Sequence, residues 1–143
     1  MFRFPVQLSA AIIMSLAVVA CGGGGGDESD NSADTDTTAP TLTVLSPLDG
    51  TTDIAVDSPI TATFSEAMNA SSVTSSSFTL DNGATGTVTY DGLTATFTPA
   101  SDLDFRTTYT ATITTAVTDL AGNALEADQQ WSFTTTDPVP RFA

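Results

Sequence analysis

Histidine and lysine are missing from this 143-residue chain, and cysteine occurs once. Without histidine or lysine, the usual general base and the serine–lysine pairing are unavailable. A single cysteine forbids an internal disulfide, so stability must come from packing. It also leaves no His/Cys set for zinc, which takes those ligands in most sites. Positive charge is scarce: three arginines stand against 17 acids, for a formal net charge of −14. Such a polyanion repels nucleic acid and anionic lipid headgroups, which excludes nucleic-acid binding. Long apolar runs are also absent. Residues 8–20, LSAAIIMSLAVVA, would span ~20 Å as a helix, short of the ~30 Å hydrocarbon core. With Arg3 as the only basic residue before it, this stretch reads as the apolar region of a secretory signal peptide over residues 1–20.

The end of this stretch is distinctive. Val18-Val19-Ala20-Cys21 resembles a bacterial lipobox, which ends in a small residue followed by cysteine. The resemblance implies that Cys21 is diacylglycerated, that the peptide is cut before it, and that its new amino group is acylated. Cys21 is then the lipidation site and the membrane, reached through that lipid, is the partner. Each buried CH₂ of an acyl chain contributes ~0.8 kcal/mol, so two or three chains give a stable anchor. Gly22 stands where an aspartate resembles an inner-membrane retention signal, which points to the outer membrane, with the periplasmic or surface side left open.

Residues 22–26 are five glycines, and residues 27–39 are rich in Asp, Ser and Thr with no large apolar side chain. Nothing there offsets the entropy of ordering, so residues 21–39 read as a lipidated, disordered tether. From Pro40 the pattern becomes period two. Ile60, Ala62 and Phe64 alternate with Thr61 and Thr63; Val88 and Tyr90 with Thr87 and Thr89; Leu93, Ala95 and Phe97 with Thr94, Thr96 and Thr98. Leu42 with Val44, Phe78 with Leu80, Tyr109 with Ala111 and Ile113, and Trp131 with Phe133 continue the series. The expectation is an all-β, Ig-like antiparallel sandwich of about seven strands in Greek-key order over residues 40–136, with residues 137–143 as a tail. Asp91-Gly92 marks a two-residue hairpin, Pro99 ends a strand, and residues 66–74 allow one short helical turn. Leu103, Thr107 and Tyr109 have the spacing of a tyrosine corner, in which the phenol bonds back to upstream backbone. Leu103, Tyr109 and Trp131 are accordingly structural residues.

Several stretches, in order, resemble the bacterial Ig-like family of the SbsA surface-layer type. They are PLDGTTDIAVDSPITATFSEAM from Pro47, YDGLTATFTP from Tyr90, TTYTATI from Thr107, VTDLAGNAL from Val117 and WSFTT from Trp131. The resemblance implies a spacer or display module of cell-surface and secreted proteins, with no catalytic set. The functional expectation is a non-enzymatic cell-envelope lipoprotein displaying one Ig-like structural or interaction module, with no cofactor. The alternative is the N-terminal part of an adhesive or ligand-binding surface protein, its ligand a glycan, ice or a calcium-dependent partner. No metal ligand is assigned. Acidity has two readings, solubility and divalent-cation binding. For the second, Asp49, Asp53 and Asp57 share one loop region, and Asp102, Asp104 and Asp119 lie in others that a sandwich gathers at one end. Aspartates at turns also cap backbone amides by themselves.

Overall fold

The computed structural model describes residues 35–138. The expected signal peptide, Cys21, most of the tether and the last five residues lie outside that range.

Alternation of threonine with apolar side chains yields eight strands and no helix among the described residues. They are β1 (Leu42–Ser46), β2 (Thr51–Ile54), β3 (Ile60–Phe64), β4 (Phe78–Leu80), β5 (Gly86–Asp91), β6 (Thr94–Pro99), β7 (Thr108–Ile113) and β8 (Gln129–Thr135). One sheet has the order β1-β3-β6-β5 and the other β2-β8-β7-β4. Every neighbouring pair is antiparallel except β2–β8, which is parallel. This is the two-layer Ig-like sandwich. The inward positions of the central strands are sealed: Ile60, Ala62, Ala95, Ala111 and Ile113 are inaccessible, and Phe64, Phe97, Trp131 and Phe133 nearly so. Outward positions carry threonine opposite threonine, as in Thr61↔Thr96, Thr63↔Thr94 and Thr87↔Thr98. The β-branched stem suits the pleat while the hydroxyl meets water.

Four details differ from the sequence reading. Val44 does not share the inward face of Leu42, because the β1–β3 register shifts between them and leaves Val44 57% exposed. The strands number eight because β2, expected as loop, pairs with the end of β8 (Thr51↔Phe133, Ile54↔Thr135). Its side chains do not alternate, so period two could not reveal it. The β5–β6 hairpin closes on Asp91↔Thr94, so its two loop residues are Gly92 and Leu93. Only Gly92 has positive φ (60°), as a turn with glycine first requires. Residues 66–74 form successive turns and no helix. The Asn69 carboxamide accepts the Ser71 amide (3.1 Å), and the Ser72 amide reaches only the Asn69 carbonyl (2.9 Å). Short polar side chains there compete with helical bonding.

Candidate functional site

Two loops that the sequence separates by some fifty residues meet at one end of the sandwich. The loop after β3 and the loop before β8 are joined by an isolated bridge, Met68↔Asp119, and by the Asn69 amide donating to the Thr118 carbonyl (2.8 Å). The Tyr90 hydroxyl accepts the Met68 amide at 2.7 Å and holds the first loop from β5. The second loop turns on Gly122, at φ 98°. Asp119, 2% exposed, is its organiser. Its carboxylate accepts the amides of Gly122 (2.6 Å) and Asn123 (2.8 Å) and the Asn123 carboxamide (2.8 Å). Asn123 also donates to the Asp36 carbonyl at 3.0 Å, drawing residues that the sequence reading gave to the tether onto this end of the fold.

The result is a carboxylate cluster. One oxygen from each of Asp36, Glu66 and Asp119 lies within 4.8 Å of the others. They line a groove of about 470 Å³ with Thr35, Ala67, Leu120 and Ala121. Burial pushes the Glu66 carboxyl up, and the neighbouring charges of Asp36 and Asp119 push the same way. Asp36 is held below the ordinary carboxylate range, chiefly by hydrogen bonds from Thr38, whose amide donates at 2.9 Å. For Asp119, burial acts upward, but the bonds from Asn123, Gly122 and Ala121 outweigh it and the net direction is down. Glu66 is thus the member of the cluster that takes a proton first. Among the described residues, these three are the set that could hold a hard cation. Calcium takes six to eight oxygens, so the three carboxylates would leave much of the shell to backbone and water.

Of the aspartates considered from the sequence, only Asp119 belongs to this cluster. Asp49 accepts the Ser132 amide (2.8 Å) and hydroxyl (3.2 Å), tying the β1–β2 turn to β8. Asp53 sits at φ 60°, and Asp102 and Asp104 line a separate recess of about 160 Å³ with Tyr109. The sequence reading does not include Asp36 or Glu66. Glu66 carries a signal, since it stands in FSEAM, one of the stretches that carry the family resemblance, whereas Asp36 lies in the acid-rich segment before it and carries none.

The residues assigned structural roles lie inside. Tyr109 is 3% exposed, and its hydroxyl accepts the Asp104 amide at 3.0 Å, bonding across the β6–β7 corner. Leu103 is buried beneath that corner. Trp131 packs on Phe78, their ring centroids 5.8 Å apart, and no described acceptor reaches its indole N–H. Cys21 lies outside the described residues.

A model of the family described as bacterial Ig-like domain, Big_5, matches residues 36–135. The chain belongs to this family. No curated protein matches it. Among solved structures, the Ig-like domain is similar to part of E. coli alpha-2-macroglobulin, with a TM-score of 0.53 and 20% identity over 74% of this chain and 7% of that one. It is similar also to the L,D-transpeptidase LdtMt1, solved in complex with imipenem: TM-score 0.51, 16% identity, 70% and 41% coverage. The N-terminal part of the S-layer protein SbsC gives 24% identity over 72% of this chain and 25% of that one, with a TM-score of 0.48. The chain spans less than half the length of each. Such likenesses speak to fold. The Ig-like family is a non-catalytic fold family, and the transpeptidase shares an Ig-like domain with this chain.

Proposed function

We propose that this protein is a non-enzymatic lipoprotein of the bacterial cell envelope that presents its Ig-like domain as a structural or interaction module. One observation carries the reading: the order of parts along the chain. A lipobox-like stretch ends at Cys21, glycine and acid-rich residues come next, and a family match occupies residues 36–135. The domain keeps six of its aromatic rings in its own core: Phe64, Phe78, Phe97, Tyr109, Trp131 and Phe133 are buried, while Phe105 is exposed. The lipid on Cys21 holds the chain at a membrane, and Gly22 supports the outer one. Palmitate labelling and fractionation of a Cys21→Ser variant test the anchor. Label and membrane recovery are both lost if Cys21 carries the lipid; a variant that still enters the detergent phase ends this reading.

A second reading is the N-terminal part of a longer adhesive or ligand-binding surface protein, with glycan, ice or a calcium-dependent partner as ligand. One observation favours ligand binding: Asp36, Glu66 and Asp119 bring oxygen ligands together. Melting with and without calcium separates the two: a rise in melting temperature supports the second, and indifference the first.

A further inference from the structure

Four strands border the two sheets, and they are not equivalent. β4 has three residues; β1 and β2 have register irregularities, and β2 includes Asp53 at φ 60°. β5 is different. Its six residues pair with β6 in unbroken register from Gly86↔Pro99 to Asp91↔Thr94. Proteins usually guard a free edge with proline, a bulge, lysine or brevity. GTVTYD has no proline, no basic residue and no bulge, and its one charge is at the last position.

The two-residue loop makes Asp91↔Thr94 a hydrogen-bonded pair, so Thr87, Thr89 and Asp91 direct their backbone groups toward β6. Gly86, Val88 and Tyr90 therefore turn their N–H and C=O groups to the open side. No described residue bonds those groups outside the β5–β6 ladder. Beside the start of the strand is a notch of about 240 Å³ lined by Leu80, Ala84, Gly86 and Phe97, among others. Asp102 and Asp104 share a recess with Ala84 and Thr85 at that end, and Asp91 stands at the other. The only cation among the described residues, Arg106, is paired with Asp137.

We propose that β5 is a docking edge for an extended cationic peptide segment, which adds to the β1-β3-β6-β5 sheet as a fifth strand. Backbone bonds to Gly86, Val88 and Tyr90 supply the affinity, and the notch takes one apolar side chain. Charge selects the occupant: acids at both ends of the edge attract basic flanks, and a net charge of −14 opposes a second copy of this chain. The assignment does not depend on lipid at Cys21, so neither success nor failure of its test bears on the anchor.

The test uses the full chain in non-ionic detergent and a synthetic peptide of alternating valine and threonine with two lysines at each end. Amide exchange of Gly86, Val88 and Tyr90 is followed by NMR. Saturating peptide slows those amides by about tenfold or more, because each gains a bonded partner. Replacing the flanking lysines with glutamates abolishes the effect. Val88→Pro, which removes a donor on the open side only, removes binding while the β7–β8 amides stay protected. If Val88→Pro does not fold, Thr87→Lys/Thr89→Lys decides, weakening binding by about tenfold through like charge. Three results overturn the proposal: unchanged exchange at these amides, equal slowing by the glutamate-flanked peptide, or a doubled mass in sedimentation with the edge already protected.

Discussion

Trp131 allows a sharp test of how the core is held together. Its ring is buried against Phe78, opposite Ala111 on β7, yet its N–H meets no described acceptor. Two substitutions divide these contributions. Trp131→Ala leaves a cavity between the sheets and costs about 3–5 kcal/mol. Trp131→Phe keeps an aromatic ring but gives up about 40 Å³, worth ~1 kcal/mol as cavity at ~24 cal/mol per Å³. Lost apolar transfer adds about 1 kcal/mol. Against this, removing a buried unpartnered donor returns about 1–3 kcal/mol. The phenylalanine variant should therefore stay within about 1 kcal/mol of the parent, a gap of at least ~2 kcal/mol from alanine. Urea unfolding reads both. With a slope near ~1.5 kcal/mol per M, alanine lowers the midpoint by about 2–3 M and phenylalanine by less than ~0.7 M. Far-UV circular dichroism must be the probe, because Trp131 is the sole tryptophan. A Trp131→Phe cost above ~3 kcal/mol would refute the reasoning, since it would mean the indole N–H is satisfied in the native state.

Two more outcomes are expected from the geometry. At Gly86 an added Cβ would lie 2.4 Å from the Thr98 carbonyl oxygen and 2.7 Å from the Phe97 ring, so Gly86→Ala should cost about 1–3 kcal/mol in the same urea assay. Glu66→Gln should raise the melting temperature at neutral pH. The folded state raises the Glu66 carboxyl, so its charged form opposes folding above that range and relief comes as pH falls through it. Asp36 and Asp119, held down, contribute stability at higher pH that is lost on further acidification. The parent therefore gains stability on mild acidification before losing it, and the variant shows only the loss. A variant that keeps the initial gain would remove Glu66 as its source.

The central strands were legible because burial and period two coincide in them. Ile60, Ala62 and Phe64 announce their sheet face without help from any partner. β2 was not legible, because its pairing depends on β8, some eighty residues away, and only one of its four positions carries a large apolar side chain. The carboxylate cluster was hidden for a related reason. Asp36, Glu66 and Asp119 approach only when the Met68↔Asp119 bridge joins two loops and Asn123 draws in the preceding segment. Counting acids along the chain favours Asp49, Asp53 and Asp57, which are close in sequence, but Asp49 bonds to Ser132 on β8 and Asp53 lies within β2. Tyr109 fared better, since its partner amide is five residues away and local spacing could encode the bond.

The parallel pairing of β2 with β8 has a mechanical consequence. Tension that reaches β2 from its upstream side and β8 from its downstream side pulls the two strands past each other along their length. The bonds that join Thr51 and Ile54 to β8 are then loaded together rather than opened one after another. A pair joined in this way meets such tension as shear, whereas an antiparallel hairpin pulled at its open end parts one bond at a time.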